Sequence, residues 1–226
     1  MILITTYYLS DSLERQKEID RCLFININNK HIKKIYLLTN KKYDKANINN
    51  KKIVQVIVSD DENYKLKYND AIRFINNNLK DKICILSNSD IYFDNSLLKI
   101  TKNVIQNKFF GILRYDEDIN GDKTIFKLFD EPRSDSQDCW IFQSPLNIDY
   151  EKINFQFGTL GCDNIFASVV NDIGLHVSNP CYDIIITHVH LTNLRTYNVD
   201  NRIHGKYCLI KPCHLNEKID VSFMDY

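Results

Sequence analysis

The run Lys82-Ile83-Cys84-Ile85-Leu86-Ser87-Asn88-Ser89-Asp90 decides how this chain is read. An apolar stretch with no polar interruption marks a strand buried on both faces, as in a parallel sheet. It ends abruptly in an amide, a hydroxyl and a carboxylate. In open parallel sheets ligands bind beyond the carboxyl ends of the strands. Asn88, Ser89 and Asp90 therefore stand where chemistry is expected.

Working outward, the first half repeats strand and helix. Ile2–Thr6 reads as a strand that stops at Thr5-Thr6-Tyr7-Tyr8, and Lys33–Thr39 and Lys52–Val58 as branched-residue strands. A helix starts near Ser10–Asp11, where Asp11 and Glu14 have capping-box spacing. Leu66–Leu79 carries Ala71, Ile72, Ile75 and Leu79 at helical spacing, and Asn95–Gln106 reads as a further helix before the strand Phe109–Tyr115. Such alternation implies right-handed crossovers and a mostly parallel sheet flanked by helices, an α/β fold. Thr5–Tyr8, Ser59–Asp61 and Asn88–Asp90 should then converge at one edge.

The second half is more irregular. Asn120-Gly121 signals a hairpin joining Phe109–Tyr115 to Thr124–Phe129. Asp138–Phe142 is a short strand, Asp163–Ile173 a helix ending before Gly174, and Cys181–Thr187 a β-branched strand ending at His188-Val189-His190. No linker or repeat interrupts the chain. One domain over 1–226 is expected, with an N-terminal nucleotide-like half (1–115) and an irregular C-terminal half (116–226).

Composition narrows the function classes. Among 226 residues, Lys+Arg and Asp+Glu are 29 each, so the formal charge is zero. Non-specific nucleic-acid binding rests on excess basic charge, so a nucleic-acid partner is not expected. No apolar run approaches the ~20 residues of a membrane span. The start lacks a basic leader with an apolar core, and the seven scattered cysteines read as buried thiols, so a cytoplasmic location is expected. There is no GxGxxG, Walker A, GxSxG or HExxH pattern.

Several groups carry possible chemistry. Asp90, with Asn88 and Ser89, offers hard oxygen ligands for Mg²⁺ or Mn²⁺, though the same triplet suits a plain turn. His188 and His190 lie two residues apart at a strand end and so face one way, fit to chelate a cation or to remain ordinary surface histidines. Arg195, in a basic aromatic segment, has the fork that matches phosphate oxygens. Arg15, Tyr68 and Arg73 sit on the early helices near the strand ends. Asp163 opens a helix as cap or as general base, and a helix start favours its ionised form. Asp138, beside the only tryptophan, Trp140, suits a sugar whose apolar face stacks on the ring, although a lone tryptophan is usually core.

Taken in order, Thr5-Thr6-Tyr7-Tyr8, Asn88-Ser89-Asp90, Gly161-Cys162-Asp163-Asn164 and His188-Val189-His190 with Arg195 resemble a GT-A glycosyltransferase. The likeness is to the small family-two-like enzymes of large DNA viruses and some bacteria. The resemblance implies that Thr5, Tyr7 and Asp60, with Thr6 beside them, hold the nucleotide. It implies that Asp90 binds the metal and that His188 or His190 completes its shell. Asn88 stands where the family has an acid, leaving Asp90 the sole anionic ligand of the triplet. Asp163 matches the general base, with Cys162 replacing the usual preceding acid and Asp138 in reserve. The implied activity is metal-dependent, inverting transfer from a UDP-type sugar nucleotide to a glycan. The same phosphate and metal site would also serve a sugar-nucleotide hydrolase or nucleotidyltransferase, or a degenerate sugar-nucleotide-binding module.

Overall fold

A computed structural model describes residues 1–45, 48–192 and 199–226. The first half runs β1 (Ile2–Thr5), α1 (Leu13–Asn28), β2 (Lys34–Thr39), β3 (Ile53–Ile57), α2 (Tyr68–Asn78), β4 (Ile83–Ser87) and β5 (Ile91–Phe93). After a four-residue α3 (Lys102–Ile105) come β6 (Lys108–Ile112), β7 (Tyr115–Glu117), β8 (Lys123–Ile125), and the two-residue strands β9 (Lys127–Leu128) and β10 (Glu131–Pro132). The chain then forms β11 (Cys139–Gln143), α4 (Cys162–Asp172), β12 (His176–Ser178), β13 (Ile186–His188), β14 (Lys206–Leu209) and β15 (Ser222–Asp225).

A seven-stranded sheet in the order β12-β6-β11-β4-β1-β2-β3 forms the centre. Strands β1 to β4 pair in parallel, as expected from their crossover helices. β11 enters between β4 and β6 antiparallel to both, so the sheet is mixed. That reversal has a consequence for the site: it brings the start of β11 against the end of β4, pairing Cys139 with Ser87.

Strand alternation divides the core into two layers. Leu3, Ile35, Leu37, Ile85, Phe110 and Ile141 turn to one face and pack with Ile19, Leu23 and Ile27 of α1. Ile4, Leu38, Leu86, Phe109, Trp140 and Phe142 turn to the other, against Ala71, Ile72 and Ile75 of α2 and Phe166 and Val170 of α4. Each fully buried aliphatic or aromatic side chain contributes about 1.5–3 kcal/mol, so both helix layers are firmly held. The seven cysteines are all buried, in line with their apolar contexts.

Several expected elements change. Ser12, not Asp11, caps α1, its side chain accepting from the Arg15 amide. The Asn95–Gln106 helix is broken: Ile100 is extended, and Thr101 caps a separate short turn through its hydroxyl. The Asn120-Gly121 hairpin exists, with Gly121 at φ +90°, but it joins β7 to β8 rather than extending β6. β7 and β8 belong instead to a small sheet, β5-β13-β7-β8, that sits beyond the end of β4. Of the expected Cys181–Thr187 strand only Ile186 and Thr187 pair, in a strand that runs on to His188. No described helix is long and apolar enough to cross a membrane.

Candidate active site

Asn88, Ser89 and Asp90 bridge the two sheets, leaving β4 and entering β5. β13 lies antiparallel to β5 and parallel to β7, which places His188 opposite Ile91 and beside Asp116. The register thus delivers a histidine and a carboxylate to the side of Asp90. From α1, Arg15 reaches the same point.

The result is a chain of alternating charges. Arg15 Nη2 donates to Asp90 Oδ2 at 2.5 Å, and His188 Nε2 lies 3.2 Å from the same oxygen. His188 Nδ1 lies 2.8 Å from Asp116 Oδ1. Arg114 donates from Nε to Asp116 Oδ1 at 2.8 Å and from Nη1 to Asp138 Oδ2 at 3.0 Å. Asp138 Oδ1 accepts from Asn88 Nδ2 at 3.1 Å, which closes the path back to the triplet. Glu18 fixes the outer end, accepting from Arg15 Nη1 at 2.8 Å and from the Thr192 amide and hydroxyl at 2.8 and 3.0 Å.

Burial alone would raise the Asp90 carboxyl. The charges and hydrogen bonds of His188 and Arg15 override it and hold Asp90 well below the usual carboxylate range. Burial likewise disfavours charge on His188, but the Asp90 carboxylate and the bonds to Asp116 and Asp90 lift its pKa to about 9.

Asp90, His188 and His190 each present one ligand atom, all within 4.8 Å of one another. The His188 and His190 rings sit edge to face, with centroids 5.3 Å apart. One carboxylate oxygen and two imidazole nitrogens are donors for a divalent cation, which would displace the proton from His188 Nε2 on binding.

At the other end of the charge chain lies Asp163, in the first turn of α4. Gly161, in the left-handed conformation at φ +84°, caps that helix, so Asp163 is not its cap. A Cβ on Gly161 would lie 1.9 Å from the Tyr207 hydroxyl, so the close approach of β14 also requires glycine. Asp163 Oδ2 accepts from the Gln137 amide at 2.9 Å. A helix start by itself favours the ionised form; instead burial, reinforced by the nearby Asp138 charge, outweighs these backbone hydrogen bonds and raises the Asp163 pKa to about 7. The residue keeps some solvent-accessible surface although its carboxyl is ringed by protein. Asp138 has both oxygens occupied, by Asn88 and Arg114. Asp163 is thus the better proton acceptor of the two.

The other expected residues separate into groups. Thr5 ends β1 with its hydroxyl buried and without a hydrogen-bond partner among the described residues, while the Thr6 hydroxyl donates to the Leu38 carbonyl at 3.0 Å. Tyr7 is 2% exposed and donates to Asp20 at 2.5 Å, so its ring cannot stack on a base in this conformation. Asp60 is exposed beyond β3, and Ser89 is partly exposed beside Asp90. Arg15 is held by Asp90 rather than turned toward a nucleotide.

Three expectations are corrected by packing. Tyr68, fully buried, lies 3.4 Å from Cys162 Sγ and stacks on Phe157, so it is core rather than a nucleotide contact. Trp140 is 1% exposed among Tyr68, Phe157 and Phe166, which leaves no ring face for a sugar. Arg73 stacks on Tyr150 at 4.1 Å and pairs loosely with Glu151 at 3.9 Å, so its guanidinium is engaged away from the charge chain. Arg195 lies outside the described residues.

Arg114, Asp116 and Glu18 are the members that sequence reasoning missed. Arg114 closes the strand-like run Phe109–Tyr115, so the strand-end rule could have found it. Asp116 follows the same run and could have been found likewise, whereas Glu18 lies mid-helix on α1 and gave no local signal of its contact with Thr192.

No family model matches the chain, and no curated protein matches it. Among solved structures, HddC from Yersinia pseudotuberculosis aligns with a TM-score of 0.41 at 14% identity, over 69% of this chain and 82% of that one. A likeness at that level carries no argument about activity.

Proposed function

We propose that the chain is a GT-A-type, metal-dependent glycosyltransferase that moves a sugar from a nucleotide diphosphate donor, a UDP-sugar, to a glycan acceptor. The observation that carries this reading is the meeting of two unlike sites at one sheet edge. A set that could hold a cation (Asp90, His188, His190) is linked through Asp116 and Arg114 to Asp138, whose charge acts on the proton acceptor Asp163.

In this reading Asp163 takes the proton of the acceptor hydroxyl while its oxygen attacks the anomeric carbon. The bond from that carbon to the diphosphate oxygen breaks, and its electron pair leaves with the diphosphate. A carboxyl with a pKa near the working pH suits this task. A divalent cation held by Asp90, His188 and His190 would supply positive charge toward the departing diphosphate. Asp138, occupied at both oxygens, orients Arg114 and Asn88 and offers no free nucleophile. A single base without a second nucleophile favours single displacement with inversion.

A second reading has its own support. Asp90 Oδ2 already has two partners, Arg15 and His188, which favours a sugar-nucleotide-binding module working without a cation. A panel of nucleotide sugars with Mn²⁺, with and without simple acceptor glycosides, separates the readings by mass detection of products. Transfer that needs an acceptor and stops in EDTA supports the glycosyltransferase. Donor turnover without acceptor indicates a hydrolase, and formation of UTP and sugar 1-phosphate when pyrophosphate is added indicates a nucleotidyltransferase. UDP binding unchanged by EDTA with no turnover supports the module.

A further inference from the structure

We infer that Asp116 is the positioning residue for His188, fixing the imidazole so that Nε2 faces Asp90 and the cation set. The inference rests on the cation site of the function proposed above and adds the device that orients it.

The placement begins in the backbone. β7 and β13 run parallel with His188 directly beside Asp116, so the two side chains leave the same face of adjacent strands. His188 Nδ1 meets Asp116 Oδ1 at 2.8 Å, which leaves Nε2 as the nitrogen on the Asp90 side. A histidine that ligates through one nitrogen is usually held at the other by a carboxylate, which sets both the tautomer and the ring plane.

Asp116 is itself prevented from turning away. Arg114 Nε donates to the same Oδ1 at 2.8 Å, and the guanidinium lies 3.9 Å over the Phe126 ring. Because Arg114 also holds Asp138, one guanidinium ties the orientation of His188 to that of Asp138.

The test titrates Mn²⁺ alone into wild type, Asp116→Ala, Asp116→Asn and Asp90→Ala by calorimetry, with thermal unfolding in parallel. Loss of a carboxylate behind a ligating histidine costs about 10–100-fold in metal affinity, and that range is expected for Asp116→Ala. Asp116→Asn keeps an oxygen that accepts from Nδ1 and should recover most of the affinity. A merely structural aspartate would lower the unfolding temperature and leave Mn²⁺ affinity alone. A second readout needs no metal: the Nδ1 proton of His188 in ¹⁵N-labelled protein should be protected in wild type and Asp116→Asn and lost in Asp116→Ala. Wild-type Mn²⁺ affinity in Asp116→Ala, where Asp90→Ala has lost it, overturns the inference and spares the cation site. If wild type binds no Mn²⁺, the cation reading fails by itself, and persistence of the Nδ1 proton in Asp116→Ala then overturns the positioning role as well.

Discussion

Asp90 and Asp163 stand as two carboxylates at one sheet edge, and their surroundings drive them in opposite directions. Both are pressed by burial toward the neutral form. Asp90 has Arg15 and His188 against it, and stays charged. Asp163 has Asp138 as its nearest charged influence and backbone amides as its main support, and its pKa rises to about 7. Desolvation acts alike on both; the sign of the neighbouring charge decides the outcome. One carboxylate is thereby suited to hold a cation and the other to exchange a proton.

The sharpest way to break this contrast is to remove the proton acceptor. Asp163→Asn should leave UDP binding intact while glycosyl transfer falls by about 10²–10⁴-fold. Asp138→Asn should fall less, because it acts through its neighbours. Turnover of both variants at saturating donor settles the assignment: full transfer in Asp163→Asn with loss in Asp138→Asn would move the base to Asp138.

The Asp90 side should be felt most in stability. Asp90→Ala strips a buried partner from Arg15 and from His188, and urea unfolding should show a loss of about 3 kcal/mol, the lower end for a broken buried pair. Because Glu18 still holds Arg15 and Asp116 still holds His188, the protein should remain folded. The same variant should abolish any tightening of UDP binding by Mn²⁺. A loss below about 0.5 kcal/mol would mean that the pair behaves as a surface contact.

Asp163 should make stability depend on pH. Its folded pKa lies above its unfolded value of 3.8, so folding binds an extra proton between the two. Wild-type stability from this group is full below about pH 4 and is lost as pH rises through about 7. Asp163→Asn cannot ionise, so its advantage should be absent near pH 4 and reach about 1–2 kcal/mol above pH 7. Unfolding curves at pH 4, 6 and 8 check the sign, and an advantage that shrinks with pH would refute burial beside Asp138 as the cause of the raised pKa.

Arg73→Ala is the smallest expected effect. Its exposed contacts with Tyr150 and Glu151 should be worth no more than about 0.5–1 kcal/mol, and UDP affinity should not change. A clear loss of UDP affinity would restore Arg73 to the site.

How much of this was legible in the chain differs residue by residue. Asp90, His188 and His190 follow strand-like runs, and a strand end is a local signal that points outward. Trp140 and Tyr68 misled because residue type shows what a ring can do and not which face of the sheet it occupies. On β11, alternation sends Trp140 into the α2–α4 layer, where other aromatics cover it. For Asp163, the helix start was legible and its consequence was not, since the Asp138 charge comes from the start of a strand whose direction no local pattern sets.

The sequence by itself determined the strand–helix alternation of the first half, the apolar faces of α1 and α2, the abrupt end of β4 at Asn88–Asp90 and the paired histidines at the end of β13. These follow from side-chain periodicity and turn chemistry, which act over a few residues. Only the tertiary structure decided that β11 enters antiparallel, that β5, β7, β8 and β13 form a second sheet, and that Arg15, Asp90, His188, Asp116, Arg114 and Asp138 join in one charged chain. Those contacts link residues distant in sequence through strand register. Register is fixed by how whole faces pack, and no single stretch carries that information.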